Sequence, residues 1–337
     1  MKILYAIQGT GNGHLSRARD IIPEIHKKNV ALDILVSGSQ ADVQIPYPIK
    51  YRLKGLSFVF GKKGGVDMWR TYLKLNSAQL QNEVKRLPIS DYDLIINDFE
   101  PVSAWACKLT QKDCIGFSHQ AAVIAPNTPK PTKNDLLGKM ILKKYAPTTQ
   151  SYGLHFKAYG ERIYTPIIRK EVRESTKTAG DYYTVYLPSY GDEKILKVLS
   201  KLKGVEWQVF SKHTDTDFFY KNITVRKINN KAFVHSMANC KGILCGAGFE
   251  TPAEALYLGK KLMAIPMKGQ YEQQCNAKAL EEMGVPILKS LKMKHFETLR
   301  HWVDTNHKTE VFYPDITAEI VDRLLQEAPI GQKYHSI

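Results

Sequence analysis

Cysteine is scarce in this chain. The five residues, at 107, 114, 240, 245 and 275, are odd in number and contain no C-x-x-C pair, which excludes a disulfide framework and the common zinc sites and leaves reduced core thiols. Long hydrophobic runs are missing as well. The apolar run Ile3 to Ile7 is ended by Gln8 and Gly9, well short of a signal-peptide core or a membrane span, so cytoplasmic residence is expected. Acidic residues are in deficit: 33 Asp and Glu against 48 Lys and Arg give a net charge of +15. Most of that excess falls within residues 1–165, and its sign favours an anionic partner. Helix-turn-helix, zinc-finger and RNA-binding signatures are all lacking, so nucleic acid is not the expected partner. An anionic membrane surface or a phosphorylated acceptor fits at least as well. No internal repeat at solenoid spacing and no low-complexity tract breaks the sequence.

What is present reads as two α/β domains. The 337 residues, 43% hydrophobic and 24% charged, have the composition of soluble globular protein and the length for two domains of ordinary size. Short apolar runs at Lys2–Ile7, Leu32–Val36, Leu94–Asn97 and Cys114–Ser118 predict buried parallel strands, with helices such as Ser16–Lys28 and Val66–Arg86 between them. The same alternation restarts after residue 180. Strands are expected at Tyr182–Leu187, Trp207–Phe210, Gly242–Cys245 and Leu262–Ile265, and helices at Asp192–Leu202, Phe249–Leu258 and Gln273–Met283. Repeated strand and helix predict a parallel sheet covered on both faces, with ligands at the carboxyl ends of its strands. The stretch Tyr159–Gly180, with Pro166 and a Ser-Thr-Lys-Thr-Ala-Gly run, suits an interdomain connection and places the boundary between 1–165 and 166–337.

Three motifs sit at expected strand ends. Gly9-Thr10-Gly11-Asn12-Gly13-His14 follows the first strand and precedes a helix. Its glycines permit a tight turn and let backbone N–H groups approach a ligand, yet the Walker A ending and the dinucleotide spacing are both missing, so a structural turn explains it equally well. His14 adds chemistry, because it lies at the mouth of a strand–helix turn and histidine titrates near neutral pH. The second motif, Cys245 to Leu256, turns on Gly246 and Gly248 and opens a helix whose free N–H groups suit a diphosphate. Within it Glu254 can accept two hydrogen bonds from a ribose diol, with a surface glutamate on an amphipathic helix as the alternative reading. The third, Pro266 to Ala277, gathers Gln270, Glu272, Gln273, Gln274 and Asn276 into a surface matched to sugar hydroxyls, or simply into a solvated helix start. Asp98, Glu100, His119 and Gln120 complete the polar set at strand ends, with helix capping the better reading of Glu100.

The run from Gly246 to Gly284, reading G-x-G-x-x-T-x-x-E-A-L, then G-K-x-L-x-x-I-P, then E-Q-x-x-N-A and L-E-x-x-G, resembles the donor half of GT-B glycosyltransferases, and family 28 in particular. That family includes the enzyme adding N-acetylglucosamine to a polyprenyl-linked peptidoglycan precursor. The N-terminal G-T-G-N-G-H resembles its glycine-rich acceptor-side loop; residues of about 40 to 180 match only in general pattern. The resemblance implies two Rossmann-like domains facing across a cleft, a UDP-linked sugar donor, and a lipid-linked or other acceptor reached from the inner face of the plasma membrane. It implies Gly246, Ala247, Gly248 and Thr251 on the diphosphate, Glu254 on the ribose, Glu272, Gln273 and Asn276 on the sugar, and Ile228 on the base. Gly11, Asn12, Gly13, His119 and Gln120 fall on the acceptor side. His14 faces the reaction centre, where it would take the acceptor proton in an inverting single displacement with Asp98 orienting its ring. Glu272 departs from the pattern, since many plant-type relatives carry Asp there.

No cofactor and no metal are expected. Backbone amides and helix dipoles offset the leaving diphosphate in this group, and the lone D-x-D, Asp215-Thr216-Asp217, reads as a turn. Two rivals are set against this reading. A nucleotide-sugar 2-epimerase or hydrolase on the same architecture would carry Arg and Glu in the N-terminal loop, where this chain has Gly11-Asn12-Gly13-His14. A basic, non-catalytic nucleic-acid or membrane binder is opposed by the intact Glu254 and Gln273. Two apolar-basic segments bear on membrane contact: Pro131–Ala146, with Leu136, Leu137, Met140 and Ile141 beside Lys133, Lys139, Lys143 and Lys144, and the stretch Phe58–Lys63.

Overall fold

The computed structural model describes residues 1–10, 12–38, 45–56, 78–132 and 135–327. Gly11, the Phe58–Lys63 stretch, Lys133 and the first part of the Val66–Arg86 helix lie outside them. Among the described residues thirteen strands form two sheets. The first contains β1 (Lys2–Gln8), β2 (Ala31–Ser37), β3 (Tyr51–Leu53), β4 (Leu94–Asp98), β5 (Ile115–Ser118), β6 (Gln150–Leu154) and β7 (Ile163–Tyr164). Its order is β3-β2-β1-β4-β5-β6-β7, and every pair is parallel. The second contains β8 (Tyr182–Tyr186), β9 (Glu206–Ser211), β10 (Phe218–Tyr220), β11 (Ile223–Lys227), β12 (Gly242–Gly246) and β13 (Lys261–Ile265). Its order is β10-β11-β9-β8-β12-β13, parallel except for the β10–β11 edge pair. These are the two doubly wound α/β domains that the sequence predicts.

The strands are central because they are apolar on both faces: Ile3, Leu4, Tyr5, Ala6 and Ile7 are all fully buried. Helices cover them: α1 (Asn12–His26), α2 (Ala78–Arg86), α3 (Pro101–Thr110), α4 (His119–Ile124), α5 (Leu136–Tyr145) and the short α6 (Lys170–Arg173). Around the second sheet lie α7 (Asp192–Leu199), α8 (Asn230–Asn239), α9 (Glu250–Tyr257), α10 (Tyr271–Glu282) and α11 (Phe296–Asp304), and the last helix is α12 (Thr317–Gln326). Helix α12 packs against α1, with Lys28 Nζ 2.6 Å from Asp322 Oδ1. Among the described residues no helix is long and apolar enough to cross a membrane. Of the basic amphipathic segment, Ile141, Leu142 and Tyr145 of α5 are buried, Lys143 and Lys144 are exposed, and Leu136 stands 70% exposed at its start.

Each sheet reverses direction once. In the first, the chain runs from β1 outward through β2 and β3, then returns to place β4 on the other side of β1. In the second, β12 is laid on the opposite side of β8 from β9. At such reversals the connections leave in opposite directions and open a crevice beyond the carboxyl ends of the strands. His14 follows β1 and Asp98 ends β4; Gly246 ends β12.

Candidate active site

The turn from β1 into α1 is tight. A Cβ on Gly9 would lie 2.9 Å from both the Ser37 carbonyl oxygen and Val36 Cγ1, so only glycine passes β2 there. The helix then begins at Asn12, earlier than the expected Ser16, and carries Asn12, Gly13 and His14 in its first turn. At Gly13 the two halves of the molecule approach each other: a Cβ on it would meet Glu250 Cγ of α9 at 3.1 Å. Three residues beyond His14, on the same face of α1, lies Arg17, which is 2% exposed.

Asp98 gathers these side chains. Fully buried at the end of β4, it accepts a hydrogen bond of 2.8 Å from His14 Nδ1 and bonds of 2.8 and 2.9 Å from Arg17. Burial alone would raise its pKa, but Arg17 and then His14 overcome that and hold the carboxyl below its usual range. A carboxylate accepting from Nδ1–H leaves the lone pair on Nε2, which lies 3.4 Å from the Gln120 amide nitrogen. Phe99, directly after Asp98, takes φ 58°, a left-handed conformation uncommon for a bulky residue. It separates the two neighbouring acids. Asp98 faces His14, whereas Glu100 turns back as the cap of α3, accepting from Val102 N at 2.7 Å and Ser103 N at 2.6 Å.

From the second sheet come the opposing groups. Arg17 also donates to Glu250, in the first turn of α9, so a single buried guanidinium joins the two halves. Burial pushes the Glu250 carboxyl up to about 7, with Arg17 pulling the other way. Gln120 donates to Glu272 at 3.1 Å, which puts the acceptor-side amide against the first turn of α10. His119 Nδ1 donates to the Leu154 carbonyl at 2.8 Å, and Nε2 lies 2.8 Å from Asn276 Oδ1. Its ring stacks on Phe249 with centroids 4.0 Å apart. Burial lowers the His119 pKa, against the opposing pull of Glu272 and of the two oxygens that face its ring nitrogens. His119 and Asn276, both buried, are thus engaged with each other, and Asn276 Nδ2 also donates to the Ala247 carbonyl at 3.1 Å.

The glycine turn after β12 is open. A Cβ on Gly248 would have no atom within 4 Å, and α9 follows with no side-chain cap on its N-terminal amides. Thr251 is half-buried in that first turn, and Ala247 N donates to the Ile265 carbonyl at 3.1 Å. Gln273 Oε1 accepts from Met267 N at 2.8 Å, tying α10 to the loop before it. Ile228 is half-buried against the core beyond β11. Glu254 is 1% exposed and turned to Arg169, whose Nε and Nη2 donate to its two oxygens at 2.5 and 2.7 Å. Among the described residues, no group of three or more His, Cys, Asp or Glu is placed to hold a metal ion.

Sequence reasoning does not single out Arg17, Glu250 or Arg169. Arg17 carries one signal, its position three residues from His14 on a helix; Arg169 lies in the expected interdomain connection and carries none.

Solved structures similar to this chain include several glycosyltransferases. Acinetobacter baumannii MurG aligns over 97% of this chain and 100% of its own, at TM-score 0.58 and 14% identity. Spinosyn rhamnosyltransferase SpnG in complex with thymidine diphosphate aligns over 98% and 97%, at TM-score 0.55 and 12% identity. SnogD from Streptomyces nogalater aligns over 98% and 96%, at TM-score 0.53 and 13% identity. Their shared fold is GT-B, and at these identities the likeness speaks for the fold alone. No curated protein sequence matches the chain. The model of the family described as glycosyl transferase family 1 matches residues 1–305, nearly the whole chain, and so this GT-B protein belongs to that family of glycosyltransferases.

Proposed function

We propose that this glycosyltransferase moves a sugar from a UDP-linked donor to an acceptor hydroxyl by a single displacement that inverts the anomeric centre. The observation that carries the reading is the His14–Asp98 hydrogen bond of 2.8 Å, which leaves Nε2 as the basic nitrogen on the side where Gln120 and Glu272 meet. His14 takes the proton of the attacking hydroxyl. Asp98 holds the ring and offsets its developing charge, and Arg17 fixes Asp98 from the other side. The departing diphosphate lies on Gly246, Ala247, Gly248 and Thr251, where the uncapped amides of α9 meet its charge without a metal and no cofactor takes part. Glu272, Gln273 and Asn276 read the sugar, Ile228 lies against the base, and Glu254 binds the ribose once Arg169 yields part of its hold. Residues 1–165 receive the acceptor through Gly11, Asn12, Gly13, His119 and Gln120, and residues 166–337 hold the donor. The protein works in the cytoplasm, at the inner face of the membrane, on a lipid-linked acceptor.

The test is His14→Ala, assayed as UDP release from a panel of UDP-sugars with a lipid extract as the acceptor source. Losing a general base lowers turnover by ~10²–10⁴-fold, while UDP binding by calorimetry stays near wild type. Full turnover in the variant would remove His14 from catalysis, and retention at the anomeric carbon, read by proton NMR, would overturn the single displacement.

A further inference from the structure

Lysines from four separate segments converge on one groove of the second domain: Lys194 on α7, Lys268 after β13, Lys278 on α10, and Lys289, Lys292 and Lys294 ahead of α11. The groove has a volume of about 970 Å³, and Glu281 is the one carboxylate among the described residues of its lining. That acid is already engaged, since Lys278 pairs with Glu281 at 3.1 Å and with Glu282 at 3.8 Å. The other five lysines are exposed and make no ion pair with another described residue. Like charges around a concavity repel one another, and low-dielectric walls focus their field into it. An anion inside relieves that repulsion.

Size and position narrow the anion. A volume of 970 Å³ stands at the top of the ~300–1,000 Å³ range of small-ligand sites, far more room than one phosphate needs. The groove also adjoins the proposed sugar site. Its lining includes Met267 and Gln274, and Met267 donates its N–H to Gln273 at 2.8 Å while accepting from Gln274 Nε2 at 3.1 Å. Its other wall is Pro131 and Thr132, from the segment leading into α5 of the first domain. A ligand held there touches both halves beside the transferred sugar, where an acceptor belongs.

We propose that this lysine-lined groove binds the phosphate-bearing part of the acceptor, which makes the acceptor a molecule with more than one anionic phosphate group. The assignment rests on the glycosyltransfer reading above, and its test is chosen to fail separately from it. Three exposed lysines ahead of α11 are reversed together, Lys289→Glu with Lys292→Glu and Lys294→Glu, and Lys201→Glu with Lys203→Glu, two exposed residues after α7, serves as a charge-reversal control outside the groove. The probes are inorganic tripolyphosphate by calorimetry and phosphatidylglycerol vesicles by co-sedimentation, with phosphatidylcholine vesicles as the neutral comparison. Wild type and the Lys201/Lys203 control are expected to bind, and the triple variant to bind at least about 10-fold more weakly, with a shallower salt dependence. Loss of tripolyphosphate binding identifies a soluble phosphate ligand. Loss confined to phosphatidylglycerol vesicles identifies lipid-borne phosphate, and either outcome supports the groove. Binding of both probes unchanged in the triple variant, or lost equally in the Lys201/Lys203 control, overturns it, as does a mixed-sequence DNA duplex bound through these lysines in preference to tripolyphosphate. UDP titration and thermal unfolding of the triple variant are expected to match wild type, so a failure of the donor site reads out separately.

Discussion

Asp98→Asn removes one charge and almost no volume. In the native site Oδ1 of Asp98 accepts from both His14 and Arg17 at 2.8 Å, and Oδ2 accepts from Arg17 at 2.9 Å. Guanidinium has only donors, so the asparagine oxygen settles at the Oδ1 position, keeps both of those bonds, and turns its amide against Arg17. The histidine tautomer therefore survives. What is lost is the charge proposed to steady the imidazolium as the acceptor proton arrives, while the Arg17 charge beside it remains. A hydrogen bond to a charged group contributes ~1.5–3 kcal/mol, or ~10–150-fold in rate. The uncompensated Arg17 places the loss toward the upper end of that range, at the bottom edge of the ~10²–10⁴-fold for His14→Ala. Stability falls too. Removing one partner of a buried ion pair costs about 3–5 kcal/mol, and the retained oxygen and Glu250 keep the cost near the lower end. UDP release measured beside thermal unfolding and UDP calorimetry separates the effects. Turnover equal to wild type in a folded Asp98→Asn variant would refute the dyad, and a loss matching His14→Ala would shift the role of base to Asp98.

Glu254→Ala is expected to weaken UDP binding ~10–150-fold through the loss of charge-assisted hydrogen bonds to ribose, and an unchanged calorimetric titration would remove Glu254 from the donor site. Glu250→Gln tests the clasp with Arg17. Burial raises the Glu250 pKa from 4.5 to about 7, so its contribution to stability is complete below about pH 4.5 and lost as pH rises through about 7. The difference in unfolding temperature between wild type and Glu250→Gln should move against wild type across that window. A difference flat with pH would show that Glu250 does not titrate there.

The parallel strands are legible in the sequence because both faces are buried: Ile3–Ile7 and Leu94–Ile96 are continuous apolar runs, and hydrophobic periodicity alone finds them. Strand β6 is not. Gln150-Ser151-Tyr152-Gly153-Leu154 holds two polar residues and a glycine, and pairing with β5 and β7 makes it a strand. Strand β11 hides in the same way, its buried Ile223 and Val225 alternating with Thr224 and Arg226 over too few residues to stand out. The helix pattern puts the start of α1 too late because glycine and asparagine are poor helix formers, and here packing against Glu250 decides instead. Local glycine and amide motifs, by contrast, mark the strand ends that the two chain reversals bring together.

Charge pairing across the cleft follows a different rule from motif spacing. Arg17 meets Asp98 across 81 residues and Glu250 across 233, and Arg169 meets Glu254 across 85. Nothing local to either arginine announces that it is buried, because an arginine enters a protein interior only when carboxylates wait there, and those carboxylates are set by the sheet order. Once Asp98 is known to end β4 beside β1, an arginine one turn into α1 becomes the natural counter-charge, and the basic nitrogen of His14 follows from it. Without Arg17, a fully buried Asp98 would be driven toward its neutral acid, and a neutral acid cannot stabilise an imidazolium. The guanidinium thus keeps the carboxylate ionised, the carboxylate fixes the histidine tautomer, and the histidine presents Nε2 to the cleft. Each step in that chain depends on a contact between residues far apart in sequence, which is why the motif locates the histidine and the fold supplies its chemistry.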